Sequence, residues 1–108
     1  MGASFKPNVK DVRNSKPVEL AKLLMQNNVE VELIDPLVDT QQLERVAGLI
    51  LTSQIKGRYQ VIIVAVNHTA YKELGESYFC NSTSETALVI DLTGAFKGVI
   101  HNRKYWTI

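Results

Sequence analysis

Three runs of mostly apolar residues have the length and β-branched content of buried strands. They are Val29–Ile34, Tyr59–Val66 and Ala87–Leu92. The middle run is apolar at nearly every position, which is typical of a central parallel strand covered on both faces. A shorter run, Leu49–Thr52, predicts a fourth strand, and Met1–Phe5 predicts the end of a fifth.

Helical signals separate these runs. A first helix is predicted after the N-cap candidates Asn14 and Ser15, with Pro17 in its first turn and a stop at positions 27–28. Its predicted buried stripe is Leu20, Leu23 and Leu24. Two shorter helices are each bounded by a polar cap and a glycine. They cover Thr40–Ala47, between Asp39 and Gly48, and Thr69–Leu74, between Asn67 and Gly75.

Alternation of strands and helices predicts an α/β fold, Rossmann-like in three layers, with a mainly parallel sheet of about five to six strands. The tail Arg103–Ile108 predicts the last edge strand. With 108 residues, the chain is predicted to form one domain spanning residues 1–108. Its first strand is unusually short, which indicates either a truncated strand or a naturally short edge.

Composition narrows the class of protein. Twelve basic and eleven acidic residues give a net charge of +1, which argues against a dedicated nucleic-acid binder. The single cysteine excludes an internal disulfide. The longest apolar run, Val61–Val66, is too short to span a bilayer, and lysines interrupt the start of the chain, so no secretion signal is predicted. We therefore predict a cytoplasmic protein without a membrane partner.

The loop that precedes the first helix carries the main candidate chemistry. Lys6, Lys10 and Arg13 lie in it, ahead of a helix N-terminus. Backbone N–H groups, the helix dipole and these cations together favour an anion such as phosphate. The alternative is a solvated loop whose charges pair with Asp11.

Most other polar residues favour structural interpretations. Asp35 begins the turn Asp35-Pro36, since no G-x-G-x-x-G fingerprint supports a role in ribose binding. His68 is assigned to a cap or loop, His101 to a solvated turn, and Cys80 to a buried or incidental role. No catalytic set and no metal-ligand spacing occur. The sequence therefore predicts a binding module, or part of an enzyme whose chemistry lies elsewhere.

The segment GASFKPNVKDVRNS at positions 2–15 resembles the signature G-x-[TS]-F-K-x-N-x-x-D-x-R-N-S. That signature opens the C-terminal domain of the UDP-glucose and GDP-mannose dehydrogenases. Later segments agree in order: V-E-V before Asp35-Pro36, Y-Q-V-I-I-V-A-V at 59–66, Val89–Leu92 and Tyr105-Trp106. The chain is thus similar to the UDP-binding domain of this family over nearly its whole length.

The resemblance implies an origin in a three-domain enzyme that oxidises the C6 alcohol of a UDP-sugar to a uronic acid with two NAD+. Such enzymes act in surface polysaccharide synthesis, including capsule. The NAD site and the catalytic cysteine would lie mainly in upstream domains, so Cys80 is not the nucleophile and no catalytic residue lies in this chain. The implied partners are a UDP-sugar, those upstream domains and, for the full enzyme, a second subunit or more.

The same resemblance assigns roles to individual residues. Phe5 and Lys6 match the family's F-K pair, which contacts the nucleotide-sugar. Arg13 matches the arginine that reaches the NAD pyrophosphate, and Asp11 would orient it. The family's basic substrate contact is missing near Thr93 and Gly94. Lys97 is the candidate replacement.

The F-K-x-N form of the signature resembles the branch that acts on UDP-N-acetylhexosamines. Two other classes of function stay open on the sequence alone. One is a stand-alone, non-catalytic nucleotide- or anion-binding module. The other is a structural domain that pairs a partner along its sheet edge.

Overall fold

The computed structural model describes residues 1–55 and 57–108. In this part of the chain three helices, one 3₁₀ turn and three strands follow one another. Their bounds are α1 Lys16–Gln26, α2 Thr40–Ala47, β1 Tyr59–Val64, the 3₁₀ turn Thr69–Tyr71, α3 Glu76–Ser82, β2 Thr83–Asp91 and β3 Lys104–Thr107. None of the described helices has the length and apolar content needed to cross a membrane.

The three strands form one parallel sheet in the order β1-β2-β3. Val64 pairs with Asp91, and Asp91 pairs with Thr107, so the carboxyl ends of all three strands lie at one edge. The parallel α/β class is confirmed, and β3 is the edge strand that the tail predicted. The prediction of five to six strands is wrong for the described residues, which form three.

Three of the predicted strands do not form among the described residues. They are the runs Met1–Phe5, Val29–Ile34 and Leu49–Thr52. In the described structure the last two of these runs share one isolated parallel bridge, between Leu33 and Leu51. A strand is defined by its backbone pairing, and no backbone hydrogen bond joins Val29–Leu33 to β1 among the described residues. The composition of a strand is present there, but its partner is not.

The helices depart from the predictions in two places. The predicted third helix is a single 3₁₀ turn that begins after His68 rather than Asn67. The helix α3, which has no strong helix-forming pattern, follows Gly75 instead of ending at it. In α1, Leu23 is 56% exposed, so the predicted stripe is wrong at this position.

Two apolar clusters form the core. One lies between the sheet and the segments 71–79 and 96–100, where Phe79 and Phe96 contact edge to face. The other joins the start of the chain to α1 and α2. The second cluster consists of Ala3, Val12, Val18, Leu33, Val38 and Leu43. It fixes the loop before α1 against the carboxyl edge of the sheet.

Candidate functional site

The candidate site is the carboxyl edge of the sheet, where ligands bind in open parallel sheets. Four chain segments lie at this edge or beside it. They are 3–8, 35–38, 65–68 and 91–97. The first of these includes the predicted contacts Phe5 and Lys6.

Asp35 is the anchor of this edge. One carboxylate oxygen, Oδ1, accepts hydrogen bonds from the backbone N–H of Leu37 and Val38, which closes the predicted turn at Asp35-Pro36. The other, Oδ2, accepts from the N–H of Ala3 at 2.7 Å and from the His68 ring at 2.7 Å. A single buried carboxylate therefore joins three separate segments of the chain.

His68 is fully buried and links this anchor to the first loop. The backbone N–H of Asn8 donates to Nδ1 over 3.0 Å, so Nδ1 carries no proton and Nε2–H donates to Asp35. Asn8 also exchanges two side-chain hydrogen bonds with Thr69, through its Nδ2 and its Oδ1. The interpretation of His68 as a cap or loop residue missed this buried network.

The anchored loop presents its tip to solvent. Ser4 is buried and its hydroxyl donates to the carbonyl of Lys6, while the N–H of Phe5 donates to the carbonyl of Asp11. Phe5 is 51% exposed. Lys6 is exposed too, and its ammonium has no ion pair within residues 1–55 and 57–108. The loop thus holds an apolar ring and a cation at the sheet edge.

The pKa of Asp35 reflects its setting. Burial raises the pKa, but hydrogen bonds from the N–H groups of Ala3 and Leu37 and from His68 outweigh burial and hold it below its usual value. The carboxylate is therefore ionised at neutral pH, as an acceptor of this many donors requires.

Arg13 lies on the same loop, with its guanidinium on Asp11. Its Nε donates to Oδ1 at 3.1 Å and its Nη2 donates to Oδ2 at 3.2 Å. The paired Arg13 lowers the pKa of Asp11, chiefly through the side-chain hydrogen bond. The Arg13 side chain stays 72% exposed, and its Nη1 has no partner in the described chain. The Asp11 pairing that the solvated-loop alternative required is thus present for Arg13.

A second carboxylate organises the loop after β2. Asp91 accepts from the N–H groups of Thr93 and Gly94 through Oδ1, and from the N–H of Phe96 and the hydroxyl of Tyr105 through Oδ2. Its pKa is raised by burial but lowered further by these donors, so it lies below its usual value.

Lys97 belongs to the loop after β2, the loop whose backbone N–H groups donate to Asp91. A side chain on Gly94 would begin 3.6 Å from Lys97 Cε and 4.0 Å from its Nζ, so the lysine lies over that glycine. Lys97 is therefore near the position at which the resemblance expects a basic residue. It lies on the exposed surface of the edge.

The other singled-out residues lie apart from this edge. His101 is exposed and bonds the carbonyl of Gly98 through Nε2, in agreement with its predicted solvated turn. Cys80 is partly buried in α3. Within residues 1–55 and 57–108, no three His, Cys, Asp or Glu side chains are placed to hold a metal ion.

Sequence reasoning missed the roles of four residues of the site: Asp35 and His68, which form a pair, Asn8 and Asp91. A signal for the first was present. Both residues follow apolar runs that were predicted as parallel strands, and the carboxyl ends of parallel strands lie at one edge. Asp91 gives a similar signal, since it is the polar residue next to the end of the third run, Ala87–Leu92.

Comparison with known proteins identifies the chain. The family model described as "UDP-glucose/GDP-mannose dehydrogenase family, UDP binding domain" matches residues 1–98. The chain belongs to this family. The match confirms the resemblance to the UDP-binding domain of these dehydrogenases that the sequence indicated.

Two curated relatives show how much of a longer protein the chain matches. It is 37% identical over 76 residues to the UDP-N-acetyl-D-glucosamine 6-dehydrogenase of Salmonella typhi, covering 69% of this chain and 18% of that protein. It is 29% identical over 96 residues to Protein CapL of Staphylococcus aureus, covering 87% and 22%. The chain therefore spans about a fifth of the length of these relatives.

The fold agrees with a solved dehydrogenase. The derivative structure of the UDP-N-acetyl-mannosamine dehydrogenase Cap5O from S. aureus superposes with a TM-score of 0.77 at 20% identity. The match covers 98% of this chain and 24% of the other. The arrangement of elements is therefore that of a domain within a dehydrogenase.

Proposed function

We propose that this chain is the UDP-sugar-binding domain of an NAD-dependent UDP-sugar 6-dehydrogenase. In the parent enzyme it would hold the nucleotide-sugar while upstream domains supply the catalytic cysteine and most of the NAD site. The parent would act in the cytoplasm, as a homodimer or a larger assembly, in surface polysaccharide synthesis.

The observation that carries this proposal is the anchored loop at the carboxyl edge. Asp35 and His68 fix its base, and its tip exposes Phe5 and Lys6. A diphosphate is an anion that an unpaired ammonium attracts, and an exposed aromatic ring offers a surface for a sugar or base. The tip therefore supplies both chemistries that a UDP-sugar requires.

Arg13 fits a contact with the pyrophosphate of NAD. Asp11 holds the guanidinium by two of its nitrogens and leaves Nη1 directed away from the pair, in an exposed side chain. Bound NAD+ would accept the hydride from the sugar alcohol. Arg13 would then orient the cofactor across the cleft between domains, and Asp11 would position Arg13.

The finer substrate assignment is a UDP-N-acetylhexosamine. The F-K-x-N form of the loop supports it, and the named Salmonella relative acts on UDP-N-acetyl-D-glucosamine. Lys97, which lies over Gly94 beside the loop that Asp91 caps, would provide the second basic contact with the substrate.

The experiment is an NMR titration of the 108-residue chain with UDP and with UDP-N-acetylglucosamine. Amide shifts are expected at Phe5 and Lys6, and at the loop after β2. Lys6→Ala should weaken UDP binding by about 10- to 150-fold, the cost of one hydrogen bond to a charged group. Lys22→Ala, on the exposed side of α1, is the matched control and should leave the affinity unchanged.

Equal affinities for the Lys6 and Lys22 variants would contradict the role of Lys6. Addition of NAD+ tests Arg13 separately, since Arg13→Ala should reduce NAD+ shifts and leave UDP binding intact. Shifts from NAD+ alone, with none from UDP, would contradict the assignment of the chain as the UDP-binding domain.

A further inference from the structure

The ring of His68 lies at the base of the first loop and contacts both ends of its exposed tip. Its Nδ1 accepts from the backbone N–H of Asn8 at 3.0 Å, and its Nε2 lies 3.2 Å from the hydroxyl oxygen of Ser4. The ring itself is fully buried. The exposed residues Phe5 and Lys6 lie on the stretch of chain between these two contacts. One side chain therefore holds both ends of the segment that carries the proposed ligand contacts.

The hydrogen bond from Asn8 requires a neutral ring. A backbone N–H can only donate, so the Nδ1 atom that accepts from it carries no proton. A protonated imidazole has an N–H at both of its nitrogens, and its Nδ1–H would point at the N–H of Asn8. Two donors cannot form a hydrogen bond with each other. Protonation of His68 therefore breaks this contact.

The other ring nitrogen keeps its partner in both charge states. Nε2–H donates to Oδ2 of Asp35 over 2.7 Å. This carboxylate is ionised, since the hydrogen bonds that it accepts outweigh burial and hold its pKa below the usual value. A charged ring is attracted to the carboxylate more strongly than a neutral ring is. Protonation therefore replaces the hydrogen bond from Asn8 by a stronger Asp35–His68 ion pair, and the ring stays in place while the loop is released.

The backbone of Asn8 depends on the contact that protonation removes. Asn8 has a φ of +62°, a left-handed conformation that costs energy for a residue other than glycine. Its other contacts are two side-chain hydrogen bonds with Thr69, and both residues are exposed, so water competes for these bonds. Loss of the hydrogen bond to the buried ring therefore allows Asn8 to leave this conformation.

Other titratable groups face the Asp35–His68 pair from the 3₁₀ turn and from residue 1. The ring centroid of Tyr71 lies 5.5 Å from that of His68, and burial raises the pKa of the Tyr71 hydroxyl, so it stays uncharged at and below neutral pH. The amino group of Met1 interacts with Asp35, and burial lowers the pKa of this amino group to about 6. Because histidine also titrates in this range, a chain acetylated at its amino terminus is the control that removes the second charge.

We propose that His68 is a proton-sensitive positioning residue: protonation at Nδ1 releases Asn8, loosens the tip that carries Phe5 and Lys6, and weakens the binding of a nucleotide-sugar there. The ligand in this inference rests on the proposed function, whereas the release of the loop does not. By linkage, a bound ligand opposes protonation of the ring to the same degree. Binding at the tip is therefore strongest with the neutral ring and falls as the pH drops through the titration of His68.

The first test needs no ligand. In the 108-residue chain labelled with ¹⁵N, NMR follows the ring nitrogens of His68 and the amide of Asn8 from about pH 7.5 to about pH 5, the ordinary range of histidine. Protonation of Nδ1 and a shift of the Asn8 amide should share one midpoint. Protection of this amide from hydrogen exchange, relative to the intrinsic rate at each pH, should fall at least about 10-fold, the cost of one hydrogen bond. The amides of Leu37 and Val38, which donate to the other oxygen of Asp35, should stay protected.

The second test adds UDP-N-acetylglucosamine. Its charge is constant over this range, because an ionisation near pH 6 belongs to a terminal phosphate and it has none. Its affinity should fall about 5-fold or more from neutral to acid pH. In His68→Asn, an amide oxygen near the place of Nδ1 accepts from Asn8 without titrating, so the dependence on pH should disappear. The matched control His101→Asn removes the exposed histidine and should keep that dependence.

Several outcomes would overturn the proposal. They are a protonated His68 ring with an unchanged Asn8 amide, a ring that stays neutral down to about pH 5, and an affinity that is unchanged when Asn8 is released. A dependence on pH that persists in His68→Asn, or that vanishes in the acetylated chain, would assign it to a group other than His68. Release of Asn8 in acid, without binding of the nucleotide-sugar at any pH, would support the proton-sensitive loop and contradict the proposed function instead.

Discussion

His68 donates from Nε2 to Oδ2 of Asp35 over 2.7 Å, with both side chains fully buried. The two residues are 33 positions apart, and they follow the apolar runs Val29–Ile34 and Tyr59–Val66. The pair therefore connects the carboxyl ends of these two runs through side chains, and it supports the loop that carries Lys6.

Replacement of His68 by leucine should lower the free energy of unfolding by about 3 kcal/mol, because it leaves the Asn8 N–H without an acceptor and removes one of the donors to the buried Asp35 carboxylate. Urea unfolding measures this change. His101→Leu is the control, since that ring is exposed, and it should change stability by less than about 0.5 kcal/mol. Similar losses in the two variants would refute a structural role for the buried ring.

Acid should destabilise the protein through Asp35 and Asp91. Each carboxyl has a folded-state pKa below its usual value of about 3.9, so the unfolded chain binds more protons as the pH falls. The stability they contribute is complete above about pH 4 to 5 and is lost as pH falls through the lowered pKa values. Asp35→Asn should therefore cost more at pH 7 than at pH 3 in urea unfolding. Asp39→Asn, at the exposed N-cap of α2, is the control. A cost for Asp35→Asn that does not depend on pH would show that its charge is irrelevant.

Gly2→Ala should destabilise the fold by about 3 kcal/mol, from strain at positive φ and from overlap. Gly2 has φ of +92°, and an added Cβ would lie 2.7 Å from Val66 Cβ and 2.9 Å from its backbone nitrogen. Gly75→Ala meets no atom within 4 Å and should cost at most about 1 kcal/mol, through the N-cap of α3. The midpoint of thermal unfolding, measured for both variants and for the unmodified protein, checks this difference. An unchanged midpoint for Gly2→Ala would exclude the close approach to Val66.

Tyr105 should titrate late. Burial and the hydrogen bond to Asp91 raise the pKa of its hydroxyl to about 12. Ultraviolet absorbance measures the formation of tyrosinate as the pH rises. The difference between the titrations of the unmodified protein and of Tyr105→Phe would give the pKa of Tyr105. The phenylalanine variant should also lose about 1.5 kcal/mol of stability, because it removes a hydrogen bond to a charged group. A pKa near 10 for Tyr105 would mean that the bond to Asp91 does not persist in solution.

Apolar runs predicted the sheet class well where a strand has a partner. Tyr59–Val66 and Ala87–Leu92 contain β1 and most of β2, since both have neighbours on at least one side. Val29–Ile34 has the same composition, but its residues Val29–Leu33 lack a backbone hydrogen bond on the β1 side among the described residues. Local sequence cannot report this difference, because pairing depends on what lies beside the segment.

The site was predictable at its tip and not at its base. Phe5, Lys6, Arg13 and Lys97 were found from charge, a helix start and resemblance, and their binding roles stay predictions. Asp35 and His68 were assigned to a turn and a loop, because their contact depends on tertiary folding. Both assignments hold locally, since Asp35 does close a turn and His68 does precede one. The contact between them, which anchors the loop before α1, cannot be read from either local pattern.

The anchored loop has a consequence for the thermodynamics of recognition. Its backbone is already held by Asp35, His68 and Ser4 before any ligand arrives. A ligand at the tip therefore orders mainly the side chains of Phe5 and Lys6, so little conformational entropy is lost on binding. Substitutions at the base of the loop would reduce affinity although these residues do not contact the ligand. The loop backbone would then have to be ordered when the ligand binds, and binding would lose more conformational entropy.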